Sequence, residues 1–286
     1  MRSRRLPSLR PDVSRRLILT ADDFGHSPAV NEAVLAACRE GVLRHASLMV
    51  AGDAAEEAAR LARSAPPGRL SVGLHLVLCC GRALRDSPLA PGGAFPGSPA
   101  ACGLRYFLRQ DLEPALEAEL RAQFERFLSL GLPPSHVDSH ANIHVHPVLF
   151  PMLLRLAREY GFKRVRLPGG ELSAALSYDP RPFASQLGQA FVFAGMEGAL
   201  GGRPALCPDR TWGLLRSGLM EEGYLLHLLS RLPEGTTEIY FHPTTDRASL
   251  PAGRRPTPAH HSRLDFEALT SPRVAQVLRE RAIELI

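Results

Sequence analysis

Lysine is all but missing from this chain. Of its 34 basic residues only Lys163 is a lysine, so the formal net charge of +5 rests on arginine. That charge is spread thinly, with no basic run interleaved with aromatics. The footprint of a nucleic-acid binder is therefore absent, and only a mild attraction to anionic surfaces is left. Paired cysteines are missing too. Cys38, Cys79, Cys80, Cys102 and Cys207 form no C-x-x-C pair. An odd, scattered set excludes a thiolate metal knot or a disulfide framework and points to reduced thiols in the cytoplasm. No apolar run is long enough to span a bilayer. Met1 to Arg16 is basic but lacks the apolar centre of a secretory signal.

What is present alternates. At 286 residues the chain suits one large α/β unit, and its hydrophobic share is ordinary for a protein with a sizeable core. Residues 1–15 read as a flexible basic arm and 16–286 as a single domain. Strands are predicted at 16–21, 46–50, 70–77, 135–139, 163–167 and 237–241, with a closing strand at 282–286. Between them lie helical patterns. Ser27-Pro28 opens one that Gly41 ends. Asp53 with Glu56 has the spacing of a capping box for a second. Others cover about 112–130 and 147–160, and Ser217 is expected to cap a helix reaching about Leu232. Ser271-Pro272 opens the last. Residues 81–103 read as a long Gly/Pro-rich loop. The apolar stretch 183–200 reads as a buried helix, with an amphipathic element for a lipid-like substrate or membrane surface as the alternative. Strand–helix alternation predicts a parallel sheet, in an open α/β or barrel arrangement with its active site at the C-terminal strand ends.

The informative polar residues gather at those ends. Leu17-Ile18-Leu19-Thr20-Ala21 runs into Asp22-Asp23-Phe24-Gly25. Two adjacent carboxylates repel unless a cation or a proton compensates. A solvated surface turn is the plain alternative. On strand three Leu70, Val72, Leu74 and Leu76 share one face, and Ser71, Gly73 and His75 the other. The segment His136-Val137-Asp138-Ser139-His140-Ala141-Asn142-Ile143-His144-Val145-His146 holds four imidazoles and a carboxylate, a donor set suited to divalent metals. Taken singly, His144 and His146 read as caps or supporting donors. His242 follows strand six, while His260-His261 reads as surface in a loop. One aspartate and two histidines from later strands would hold one divalent ion and leave positions for water and substrate. The other aspartate would then be free to move a proton. Spacing alone leaves open which aspartate does which.

The ordered set Ala21-Asp22-Asp23-Phe24-Gly25, Gly73-Leu74-His75-Leu76, His136-Val137-Asp138-Ser139-His140 and Tyr240-Phe241-His242-Pro243 resembles the YdjC-like carbohydrate deacetylases. That resemblance implies a distorted TIM-like barrel from about Arg16 to the C-terminus. It implies metal ligands at Asp23, His75 and His140, a general base at Asp22, and a role near the leaving group for His242. Asp138 would orient a histidine, Arg166 would position the sugar or Asp22, and His144 would stand beside the ligands or the sugar. The cofactor would be one divalent ion, Mg or Zn. The reaction would remove an N-acetyl group from an amino sugar. Ser47-Leu48-Met49-Val50-Ala51-Gly52, Leu104-Arg105-Tyr106-Phe107, Arg166-Leu167-Pro168, Trp212-Gly213-Leu214-Leu215-Arg216-Ser217-Gly218 and Phe241-His242-Pro243-Thr244-Thr245 resemble the hopanoid-biosynthesis-associated branch. This implies a glycolipid substrate, an N-acetylglucosaminyl hopanoid, and contact with the inner membrane from the cytoplasmic side. A homodimer is compatible with the sequence. The competing readings are another metal-dependent amide or phosphoester hydrolase and an inactive sugar- or lipid-binding barrel.

Overall fold

Apolar runs that end in polar residues become the strands of one parallel sheet. A computed structural model describes residues 14–179, 184–199, 202–246 and 261–286. The strands are β1 (Arg15–Phe24), β2 (His45–Leu48), β3 (Ser71–Leu76), β4 (His136–Ser139), β5 (Arg164–Val165), β6 (Arg210–Trp212), β7 (Gly235–Phe241) and β8 (Glu284–Leu285). Their order is β5-β4-β3-β2-β1-β7-β6, with β8 added beside the start of β1. Every named pairing is parallel. The seam between β5 and β6 is closed by an antiparallel bridge, Gly169 with Thr211, so the sheet curls into a distorted barrel. β1 pairs with β2, β7 and β8, and its Leu17, Leu19, Ala21 and Phe24 are buried in the core.

The helices are α1 (Pro28–Glu40), α2 (Ala55–Ser64), α3 (Pro99–Leu108), α4 (Glu113–Ser129), α5 (Leu149–Glu159), α6 (Leu172–Tyr178), α7 (Ala184–Ala199), α8 (Glu222–Ser230), α9 (Arg263–Thr270) and α10 (Pro272–Glu280). Ser27 caps α1 as its sequence suggests, accepting the Val30 amide, and Val30, Ala33, Val34, Ala37 and Cys38 are buried beneath it. None of the helices described is long and apolar enough to cross a membrane.

Several expectations change. The Asp53–Glu56 capping box does not form: α2 starts after Ala54 without a side-chain cap, and Asp53 points outward toward Arg82. Ser217 caps nothing; α8 begins five residues later, and the hydroxyl lies 3.4 Å from His242 Nδ1 instead. The expected loop at 81–103 runs into α3, capped by Ser98. It is tied down by buried Glu119, whose two oxygens accept the amides of Leu84 and Arg85 at 2.9 and 3.0 Å. The stretch 183–200 is helical from Ala184 but is not a buried helix: Phe193 is 8% exposed, whereas Phe191 is 68% and Val192 58% exposed. Position 183 and residues 1–13 of the basic arm lie outside the described residues, as does most of the 244–262 loop.

Candidate metal centre and catalytic cleft

The end of β1 carries one residue too many. Ala21 pairs with Ala46 and Phe24 with Leu48, so three steps along β1 match two along β2. Such a bulge re-aims side chains at a strand end. Asp23 takes up the extra residue at φ 61, the left-handed region that Asp tolerates better than most residues. Gly25 follows at φ 89, where an added Cβ would lie 2.9 Å from a Leu48 methyl. The bulge turns both carboxylates into the barrel mouth, but onto different walls.

Asp23 meets histidines. His75 lies opposite Asp138 in the β3–β4 register, and its Nδ1 is 2.7 Å from Asp138 Oδ1. Nδ1 donates to that carboxylate, and Nε2 lies 3.0 Å from Asp23 Oδ1. His140 enters just after β4 and places Nδ1 3.0 Å from the same oxygen. Ala141 and Asn142, both at positive φ, turn the chain away immediately afterwards. Gly73 makes room behind this wall: a Cβ there would sit 2.5 Å from the His136 ring.

Asp22 meets an arginine. Buried Arg166 grips it with both terminal nitrogens, at 2.5 and 2.8 Å. The same guanidinium pairs with Asp138 Oδ2 at 2.8 Å and Glu238 Oε1 at 2.9 Å, and lies 4.4 Å over the Tyr240 ring. Arg166 thus faces Asp22 and is too deeply buried to line the cleft. His144 is also withdrawn from the cleft. Its nitrogens contact Ser139 Oγ at 2.6 Å and the Arg166 carbonyl at 2.9 Å, fixing the turn and the arginine's backbone. His242 stands at the end of β7 with Nε2 3.9 Å from Asp22 Oδ2, and its amide donates to buried Asp265.

These surroundings separate the protonation behaviour of the two neighbours. Burial pushes Asp22 up to about 6, with Arg166 opposing it only in part. Burial also acts on Asp23, but His140 and the other imidazoles outweigh it and hold Asp23 well below the usual carboxylate range. Burial disfavours the charged form of His75, yet Asp138 and Asp23 overcome this and raise it to about 10. His140 is raised in the same way, with Asp23 overcoming its burial. Burial takes His242 down to about 3 and His144 to about 4, so both are neutral imidazoles.

The donor atoms of Asp23, His75 and His140 lie within 4.8 Å of one another. His75 Nε2 and Asp23 Oδ2 are buried without a hydrogen-bond partner. Two nitrogens and a carboxylate with orphaned atoms fit a divalent cation. Asp22, His75 and Asp138 meet the same distance test, but there the Arg166 guanidinium already pairs with both carboxylates. The first set is therefore the better cation site. Beside it opens a cleft of about 340 Å³ lined by Asp22, Cys80, His140, Asn142, Ser217 and His242 among others. A smaller hollow of about 170 Å³ lies along α7 and shares Leu214 with the cleft.

His261 is a correction. Its sequence context reads as surface, yet the side chain is only 17% exposed and its Nε2 lies 3.1 Å from Asp23 Oδ2. His260 lies outside the described residues. Nothing local marks His261 out, because α9 packing on α1 and α8 brings it to the site. Glu238 and Ser47 are likewise invisible in the sequence: each touches the network only through a partner on another strand.

Known proteins resemble this chain in fold and in sequence. The fold is similar to a crystal structure from Enterococcus faecalis, of a protein whose name proposes cellobiose-phosphate cleavage. The TM-score is 0.70 at 23% identity, covering 96% of this chain and 97% of that one. A carbohydrate deacetylase of Geobacillus stearothermophilus is 36% identical over 278 residues, 96% of this chain and 97% of the relative. A chitooligosaccharide deacetylase of Escherichia fergusonii is 36% identical over 155 residues, 52% of this chain and 58% of the relative. The family model described as YdjC-like protein matches residues 16–280, and the chain belongs to that family.

Proposed function

We propose that the chain is a metal-dependent carbohydrate N-deacetylase, which hydrolyses the acetamide of an amino sugar to a free amine and acetate. The observation that carries this reading is the split between Asp22 and Asp23: adjacent carboxylates, one among imidazoles and one on a guanidinium. The names of the carbohydrate and chitooligosaccharide deacetylase relatives supply the substrate class. Asp23, His75 and His140 would hold a divalent cation, Mg or Zn, which when bound polarises the acetyl carbonyl and makes a nearby water more acidic. Asp22, poised near neutrality by burial, takes the proton from that water as its oxygen bonds to the carbonyl carbon. Arg166 holds Asp22 in place, and Asp138 holds the His75 tautomer. The proton that Asp22 has taken goes to the departing nitrogen as the C–N bond breaks, and His242, a neutral imidazole with Nε2 3.9 Å from Asp22 Oδ2, lines the cleft where that amine would leave.

The test is acetate release from N-acetylated chitooligosaccharides, before and after chelation. Activity lost on chelation and restored by added Mg or Zn supports the proposal. Chelator-resistant activity, or none with any cation, overturns it.

The finer substrate reading is a glycolipid, an N-acetylglucosaminyl hopanoid. Its support is α7, which exposes Phe191 and Val192 and borders an apolar hollow that shares Leu214 in its lining with the cleft. Such an edge suits peripheral membrane contact from the cytoplasmic side. Phe191→Asp with Val192→Asp should weaken action on a vesicle-borne acetylated glycolipid and spare a soluble one. Equal losses on both would count against the lipid.

A further inference from the structure

The Asp23 carboxylate is 0% exposed and has two unlike sides. Oδ1 faces His75 and His140, each 3.0 Å away. Oδ2 is buried without a hydrogen-bond partner. A buried carboxylate oxygen left without a partner costs free energy. The group standing at it is His261, with Nε2 3.1 Å away and itself without a hydrogen-bond partner. His261 does not join the cluster of donor atoms formed by Asp23, His75 and His140. It meets Asp23 at Oδ2, whereas the other two histidines meet Oδ1.

The segment that delivers His261 is well anchored. The next residue, Ser262, caps α9 and donates its amide to the His242 carbonyl at 2.7 Å. Asp265, in the first turn of α9, accepts the His242 amide at 2.9 Å and the Met220 amide at 3.0 Å. The His261 ring also packs on His26, with centroids 4.6 Å apart. One short segment thus ties together His242 on the acid–base side and His261 on the metal side.

We propose that His261 is the outer partner of Asp23: it holds Oδ2 so that Oδ1 is the oxygen turned to the cation. A ligating carboxylate whose free oxygen is restrained binds its metal more tightly, and outer partners of this kind typically contribute about 10–100-fold in affinity. A neutral imidazole with its proton on Nε2 suffices. The inference rests on the Asp23–His75–His140 metal-centre reading and adds to it a residue outside the ligand set.

The experiment is a titration of the whole apo-protein with Co²⁺, followed by visible absorption, and with Zn²⁺ in competition with a chelating dye. His261→Ala should weaken both cations by about 10–100-fold. At saturating Co²⁺ its absorption bands should keep their wild-type shape, since the ligands are unchanged. His261→Gln keeps a donor and should recover part of the affinity, which separates this role from a packing defect and decides the matter if the alanine variant folds poorly. His227→Ala, on α8, is the control for loss of a remote histidine. Affinity within about twofold of wild type in both His261 variants overturns the inference. So does a changed band shape in His261→Ala, which would make His261 a direct ligand. If the wild-type chain binds neither cation, the metal-centre reading itself fails; normal wild-type binding with silent His261 variants sinks only the role of His261.

Discussion

Asp22 and Asp23 are chain neighbours with the same side chain, but their surroundings are opposite. Around Asp23 stand imidazoles from β3, from the turn after β4 and from the segment before α9. At Asp22 the direct partner is the Arg166 guanidinium, with His75, Asp138 and the neutral His242 imidazole at longer range. The first wall offers lone pairs and protons that a cation can replace. The second has its positive charge built in, shared among Asp22, Asp138 and Glu238. A cation therefore adds to the first wall and would compete with Arg166 on the second. The bulge in β1 is what allows both walls to be used from adjacent positions.

The sharpest way to break this comparison is Asp23→Asn. Asparagine tolerates positive φ as aspartate does, so the bulge should survive. The purified variant should carry no stoichiometric divalent metal by elemental analysis and show only background acetate release. Normal metal content would move the cation to the other wall. Asp22→Asn should do the reverse: metal content stays close to wild type while kcat falls about 10²–10⁴-fold, the usual contribution of a positioned base. A protein that only binds sugar or lipid would show no acetate release even before the substitution.

Arg166→Met tests the built-in charge. It leaves three carboxylates crowded in the barrel with their cation gone. Removing one partner of a buried ion pair typically costs about 3–5 kcal/mol, measurable as a lower urea midpoint. A loss under about 1 kcal/mol would mean that the carboxylates find other partners, and Arg166 would no longer explain how Asp22 is held.

Much of this division is legible in the chain, and the remainder has physical reasons for being hidden. The strand ends are legible because Asp22, His75, Asp138 and His242 fall at or close to the C-terminal ends of predicted strands, and the parallel order follows from alternation. β6 has three residues, too short for any periodicity. The bulge depends on the β2 register, which no local pattern in β1 records. Arg166 reads as a group for the sugar or for Asp22; only the fold shows its guanidinium on Asp22 and away from the cleft. His261 has the sequence context of a surface loop residue, and only the docking of α9 makes it part of the centre.

The smallest expected effect concerns pH. Burial raises Asp22 to about 6, so its base form is lost at a higher pH than that of an exposed aspartate. Activity that needs the ionised carboxylate should rise with pH through about 6 and level off above it. Below that point kcat/KM should fall about tenfold per pH unit, because one proton blocks one base. Asp23 is held low by its histidines and stays ionised across this range, so its protonation cannot be the cause of the falling rate. The comparison is therefore sharpened by measuring two quantities in one titration. Metal content should stay flat between pH 5 and 7 by order of magnitude, at about its value near neutrality, while kcat/KM drops with a slope of about one. If metal and rate decline together, the acid limb belongs to the histidine wall, and Asp22 loses its claim to the proton.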